Sequence, residues 1–322
     1  MQLTASQSLA IALLFLPACA RPLNPEVPVA VQKPVVAVED DSQVAEKSAP
    51  LPKQPPLLAS PSPVKSSPKK PRTRRTLDEL ILFQPSDASW GNYQPEFLRF
   101  EDVVFEADDG VKLHAWYCPC ENPRAHVLFA HGNAGNVSFW AERMRELQQD
   151  YRVSVMIFEY RGYGKSEGKP TVAGVLKDAR AAAKVLVKKA GIEESDLVVM
   201  GQSLGGAVAV HLAAEIQPKA LILESTFSSF RDVADFHAKW ASWLVPKSKL
   251  NSLEQIARYQ GPLLQFHGDA DEVVPFEFGE KLHLAANEPK TFFRMPGGGH
   301  NTPLPRDYRW KLDDFFDELA KQ

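Results

Sequence analysis

From Glu101 onward the chain alternates short apolar or β-branched runs with longer segments of helical spacing. No other feature restricts the fold so tightly. Residues 126–130, 153–158, 196–200, 220–223, 262–266 and 291–295 are too short for stable helices and nearly free of polar interruptions. Runs of that kind suit strands buried on both faces of a parallel sheet. The segments between them repeat their apolar residues every three or four positions. Trp140, Met144 and Leu147 share one helical face, as do Val172, Leu176, Ala179, Ala183 and Leu186, and residues 307–319 make a last amphipathic helix. Ahead of this alternation, 101–107 and 111–117 flank Asp109-Gly110, a hairpin signal. The expected fold class is α/β: a mostly parallel eight-stranded sheet, opened by an antiparallel pair, with helices on both faces.

One junction in this pattern carries chemistry. The stretch Val198-Val199-Met200-Gly201-Gln202-Ser203-Leu204-Gly205-Gly206 runs from a buried strand into a helix rich in small residues. A sharp strand-to-helix turn forces its central residue into a strained conformation, and the flanking positions must be glycine because a Cβ there would strike the neighbouring strand or helix. The Ser203 hydroxyl is thereby exposed at the carboxyl edge of the sheet beside a helix N-terminus, as a nucleophile requires. The bland alternative is a small residue in a tight turn.

A serine nucleophile needs a base, and the base an orienting carboxylate. Of eight histidines, His300 follows the last strand across Pro296-Gly297-Gly298-Gly299 and precedes the final helix, so a glycine loop can carry its imidazole over the strand edge. His114 and His126 fall in strand patterns and His211 and His283 in helices; His131 and His267 precede a glycine at a strand end, where a ring usually braces the loop. The acids Asp269, Asp271 and Glu272 follow the strand 262–266, more carboxylates than a turn needs; Asp271 is the expected partner and Asp269 the alternative. The chain order is then Ser, Asp, His. Two backbone N–H groups should bind a developing oxyanion, one from Leu204 and one from Asn133 in the loop His131-Gly132-Asn133-Ala134-Gly135-Asn136.

On these residues the resemblance becomes specific. Residues 80–320 resemble the α/β-hydrolase superfamily, most of all its compact branch of bud-emergence-type, serine aminopeptidase-like and abhydrolase-domain proteins. The matching stretches are HGNAGN (131–136), YRGYGKSEGKP (160–170), GQSLGG (201–206), ESTFSS (224–229), HGDADEVVP (267–275) and GGGHN (297–301), all in the expected order. The resemblance implies an α/β-hydrolase fold with a short cap insertion, a nucleophile at Ser203, an acid at Asp271, a base at His300, and acyl transfer to water. It places substrate specificity in the insertion between Phe227 and Gly261. There Phe236, Trp240, Trp243 and Leu244 fall at i, i+4, i+7 and i+8, one apolar helical face that either packs on the domain below or, with Phe227, walls an acyl pocket. In the 160–170 loop a structural role is expected for Arg161.

The amino-terminal quarter has a different character. Residues 9–16 (LAIALLFL) form an apolar run of signal-peptide length, far short of a membrane span. Leu16-Pro17-Ala18-Cys19 resembles a lipobox with Cys19 as the lipidated residue, although residues 2–8 carry no Lys or Arg; Ala18-Cys19-Ala20 is the alternative, a site for ordinary signal peptidase. Between Ala20 and Arg75 there are twelve prolines and no aromatic residue, a composition that cannot offset its ordering entropy. The expected organisation is therefore a signal peptide (1–18), a Pro-rich disordered linker with a basic end (19–75) and a hydrolase domain (76–322), exported to a bacterial periplasm and held at a membrane through Cys19, or else secreted. Charge is uneven in the same way: of −3 overall, residues 20–75 hold +5, which leaves −8 for 76–322. So negative a domain argues against nucleic acid as partner. Cys118 and Cys120 read as loop thiols, since a bridge across one residue is strained.

The expected function is a serine hydrolase of carboxylic esters or thioesters with an apolar acyl group, taken from a small molecule or acyl lipid, working as a monomer without metal or organic cofactor. A peptidase or amidase is the alternative within enzymes, and a catalytically dead tethered scaffold is the alternative outside them.

Overall fold

The computed structural model describes residues 82–88, 91–240 and 242–321. The expectations for the signal peptide, the linker and Cys19 fall outside the described residues.

All eight expected strands form, joined in one sheet. Strands β1 (Glu101–Glu106) and β2 (Lys112–Cys118) make the antiparallel hairpin. Gly110 adopts φ +74° at the turn, which glycine takes without the Cβ penalty. The other strands are β3 (His126–Ala130), β4 (Ser154–Phe158), β5 (Leu197–Gln202), β6 (Ala220–Glu224), β7 (Leu263–Gly268) and β8 (Lys290–Met295). Their spatial order is β1-β2-β4-β3-β5-β6-β7-β8. The hairpin joins antiparallel to β4, and every pair from β4 to β8 is parallel.

Among the described residues seven α-helices accompany them, six between strands and the last after β8: α1 (Ala141–Arg145), α2 (Val172–Ala190), α3 (Leu204–Ile216), α4 (Phe230–His237), α5 (Ser252–Ile256), α6 (Phe276–Ala285) and α7 (Arg306–Ala320). Local chemistry sets their ends. Thr171 caps α2 by accepting from the Gly174 N–H, and Gly191 closes it in the left-handed region at φ 66°.

The pleat sorts the six inner strands, β2 to β7, between two cores. Leu128 and Ala130 of β3 and Val199 of β5 join Val175, Ala179, Ala183 and Leu186 of α2 and Ala207 and Val208 of α3 on one face. Val127, Phe129, Val198 and Met200 join Met144, Leu147, Tyr308, Leu312 and Phe316 on the other. Burial on both faces explains why the central strands β3 to β6 read as continuous apolar runs rather than alternating ones.

The thiols Cys118 and Cys120 are free, and burial pushes the Cys118 thiol up to about 12, away from thiolate chemistry.

Candidate active site

Ser203 stands at the hinge between β5 and α3 with φ 55° and ψ −119°, backbone angles that cost about 1–3 kcal/mol for a residue with a side chain. The surrounding structure imposes them. The Ser203 N–H donates to the Glu224 carbonyl at 2.9 Å, and the Thr226 hydroxyl donates to the Ser203 carbonyl at 2.7 Å, so both sides of the residue are tied to the end of β6. A Cβ on Gly205 would lie within 2 Å of the Ala130 carbonyl oxygen, at 1.9 Å, and one on Gly201 would stand 2.3 Å from the Gly205 carbonyl oxygen. The two glycines let β5, α3 and the end of β3 meet closely enough to hold the hinge.

His300 arrives from the loop after β8. Its Nε2 lies 3.0 Å from Ser203 Oγ and its Nδ1 lies 2.8 Å from Asp271 Oδ2. Nδ1–H donating to the carboxylate leaves Nε2 free to accept the serine proton. Asp271 is buried, and its Oδ1 accepts the N–H groups of Val273 at 2.9 Å and Val274 at 2.8 Å. Burial alone raises this carboxyl, but hydrogen bonding from the His267 and His300 rings and from the Val274 N–H outweighs it and holds Asp271 well below the usual carboxylate range. His267 is itself fully buried, with Nε2 donating to the Val274 carbonyl at 2.8 Å and standing 3.4 Å from Asp271 Oδ2. That ring braces its loop, as expected for a histidine before a strand-end glycine.

Asp269, the alternative acid, faces elsewhere. Its carboxylate binds Arg294 Nε at 3.0 Å and accepts the Gly297 N–H at 2.6 Å, which fastens the end of β7 to the glycine loop that carries His300.

The loop 131–136 packs against the serine hinge: a Cβ on Gly132 would be 3.8 Å from Ser203 Cβ. The Asn133 side chain is anchored within the domain, its Oδ1 accepting from Tyr163 Oη at 2.8 Å and from the Gln84 N–H at 3.1 Å. Leu204 opens α3, so its N–H belongs to the first turn, which has no intrahelical acceptor. His131 donates from Nδ1 to the Gly132 carbonyl at 2.7 Å, and burial holds its imidazole down to about 4.

The insertion corrects one expectation. Phe236, Trp240, Trp243 and Leu244 do not share a helical face, because α4 ends at His237 and Ala238 turns the chain at φ −145°, ψ 55°. The break has a packing cause: His237 Nε2 donates to the Val273 carbonyl at 2.7 Å, and beyond it the chain bends so that Val245 and Leu250 enter the core. A separate turn, Ser242–Leu244, then carries Trp243. Phe236, Trp240 and Trp243 remain more than half exposed, at 54%, 61% and 71%; Phe227 alone of the four is buried, as part of the core. Arg161 is structural, as expected, gripping Asp178 and Asp109 with its guanidinium.

Glu159 escaped the sequence reading, and the only signal was a lone carboxylate directly after the apolar run 153–158. It is fully buried behind the 131–136 loop, with Oε1 accepting from Tyr93 Oη at 2.7 Å and from the Val137 N–H at 3.3 Å, and Oε2 4.0 Å from His131 Nε2. Burial pushes its carboxyl up to about 7 against the lowering effect of those hydrogen bonds. A carboxyl raised in the folded state contributes stability that is full below its unfolded pKa of about 4.3 and is lost as pH rises through the folded value. Glu159→Gln, which keeps the acceptor, should therefore raise Tm relative to the parent by the equivalent of about 1–3 kcal/mol near pH 8, with the gap closing toward about pH 5. Melting curves across that range check this; a pH-independent gap would count against it.

Among the described residues, no group of three or more His, Cys, Asp or Glu side chains converges to hold a metal ion.

A doubly wound, mostly parallel sheet with a strained serine at a strand-to-helix hinge defines a hydrolase of the α/β class. The comparisons agree. Residues 121–260 match the family model described as serine aminopeptidase, S33. An uncharacterized protein of Mycobacterium tuberculosis is 39% identical over 219 residues, covering 66% of this chain and 76% of that one. The α/β hydrolase domain-containing protein WAV2 of Arabidopsis thaliana is 37% identical over 226 residues, covering 63% and 73%. The solved esterase Pf2001 of Pyrococcus furiosus superposes with a TM-score of 0.61 at 20% identity, over 74% of this chain and 97% of that one, a likeness of fold. The chain belongs to the α/β-hydrolase superfamily.

Proposed function

We propose that the protein is a serine hydrolase that cleaves carboxylic esters or thioesters with an apolar acyl group through a covalent acyl-enzyme. The observation that carries this reading is the unbroken run of contacts from Ser203 Oγ through both nitrogens of His300 to Asp271. Ser203 Oγ attacks the substrate carbonyl carbon while its proton passes to His300 Nε2. Asp271 keeps Nδ1 protonated and stabilises the imidazolium. The Leu204 and Asn133 N–H groups receive the negative charge that builds on the carbonyl oxygen. Collapse expels the alcohol or thiol, which takes the proton from His300. Water then attacks the acyl-serine, giving its proton to His300, and the carboxylic acid leaves as Ser203 recovers its hydrogen.

Two apolar side chains support an apolar acyl portion: exposed Phe139, which packs over Gly135 of the 131–136 loop, and half-buried Val273, beside Asp271. The matched serine aminopeptidase family favours an amide-cleaving alternative. An aminopeptidase needs a carboxylate for the substrate amine, and the acids of α4 are engaged: Asp232 by Ser228 and Lys281, Asp235 by Arg231.

A panel of substrates that share an acyl chain and differ in leaving group tests the reading. Ester and thioester kcat/KM should exceed that of the matched amide by on the order of a hundredfold, about 2.7 kcal/mol in the barrier. An amide cleaved as fast as its ester would overturn the preference.

A further inference from the structure

We propose that the insert between β6 and β7 carries a docking surface for an anionic lipid bilayer, formed by Trp240, Trp243 and Leu244 set among Lys239 and Lys247. Large apolar side chains exposed together mark a contact site, and here two indoles lie open to solvent within four residues of each other, at 61% and 71%. Their exposure is held by the backbone. The Trp243 indole N–H donates to the Trp240 carbonyl at 3.1 Å, and the Ser242 hydroxyl donates to the Lys239 carbonyl at 3.0 Å, while Val245 anchors the turn in the core. The one polar atom of Trp243 is thus satisfied within the turn, and its ring still points outward.

Charge identifies the occupant. Residues 239–249 (KWASWLVPKSK) hold three lysines and no acid, on a domain whose net charge over 76–322 is −8. Positive charge is therefore concentrated where the apolar side chains emerge. Lysine is depleted from protein–protein interfaces, whereas lysines beside tryptophan suit a bilayer surface, where indoles sit at head-group depth and ammonium groups meet anionic phosphates. Asp235 lies in the field of both Arg231 and Lys239, yet across residues 231–249 four Lys and Arg side chains face two acids, so the stretch stays net positive.

Topology puts the surface at the working edge of the sheet. The insert leaves the carboxyl end of β6, the edge at which Ser203, Asp271 and His300 meet, and the His237–Val273 hydrogen bond ties it to the Asp271 loop. A bilayer engaged there would lie beside the serine, where an acyl lipid could be taken directly. Docking goes beyond the acyl-transfer reading and stands without it, because it is read by binding alone.

The test uses the full chain carrying Cys19→Ser, to remove the attachment that residues 16–19 resemble. Co-sedimentation is measured with phosphatidylcholine vesicles, either pure or containing about one third phosphatidylglycerol. The parent should bind the anionic vesicles, and brominated acyl chains should quench part of its tryptophan emission. Lys239→Ala/Lys247→Ala should weaken partitioning by about fivefold per lysine, and Trp240→Ser/Trp243→Ser by on the order of tenfold or more with the bromolipid quenching reduced. Circular dichroism and Tm should be unchanged in both variants, since the side chains are exposed. Equal sedimentation of the parent and the tryptophan variant would overturn the proposal, as would equal binding of the parent to both vesicle types. Self-association that the tryptophan variant loses, without vesicle binding, would assign the surface to a second copy of the chain and overturn it as well.

Discussion

Ser203→Ala should leave a folded protein that no longer reacts with a fluorophosphonate and hydrolyses its best ester about 10⁴- to 10⁶-fold more slowly than the parent. The change removes one oxygen and little else. The Ser203 N–H and carbonyl keep their bonds to Glu224 and Thr226, and alanine inherits the same strained φ without adding bulk. Tm should therefore stay close to that of the parent, which separates loss of the nucleophile from loss of the fold. The proposed oxyanion donors, the Leu204 and Asn133 N–H groups, would remain, so a small residual rate above water is expected. The readouts are gel fluorescence after labelling and steady-state hydrolysis; equal labelling of both proteins would remove Ser203 as the nucleophile.

Asp271→Asn should cost about 10⁴-fold in kcat, while Asp269→Asn should cost less than about tenfold. An asparagine at 271 can still accept the Val273 and Val274 N–H groups through its carbonyl oxygen, so the loop keeps its shape. What it cannot do is accept from His300 Nδ1–H and stabilise an imidazolium. An amide nitrogen turned toward Nδ1 would select the opposite tautomer and leave Nε2 protonated, unable to take the serine hydrogen. Asp269 touches Arg294 and the Gly297 N–H at the surface, where solvent screens an ion pair and its loss changes little. The reverse ranking in kcat would transfer the acid role to Asp269. Asp271→Asn should also lose stability at neutral pH. A carboxyl held low in the folded state contributes stability above its unfolded pKa of about 3.9, and that contribution fades only as pH falls through the folded value.

The strands were legible because each carries its signal locally. A short apolar run of β-branched residues is a property of five or six neighbours, and all eight appear within a residue or two of the expected positions. The hinge at Ser203 was legible for the same reason, since strand, glycine, serine and glycine are contiguous. Pairing order was less so: the hairpin joins β4 rather than β3, a crossover that no local pattern encodes. The insertion misled because helical spacing was projected through Ala238, where a tertiary hydrogen bond and the burial of Val245 stop the helix. Glu159 stayed hidden because its environment is assembled from Tyr93, His131 and Val137, all distant in sequence.

By itself the sequence determined an α/β sheet buried on both faces, a serine forced out of a strand-to-helix turn, and the order in which a nucleophile, an acid and a base would follow. Periodicity and turn chemistry act over a few residues, so one chain read in order is enough to see them. Only the tertiary structure decided that His300 meets Ser203 across 97 residues, that Asp271 rather than Asp269 stands behind it, and that Trp240 and Trp243 face solvent instead of a core. Those outcomes depend on which loops the parallel sheet gathers at one edge and which side chains compete for the same interior space, and neither is a property of neighbours along the chain.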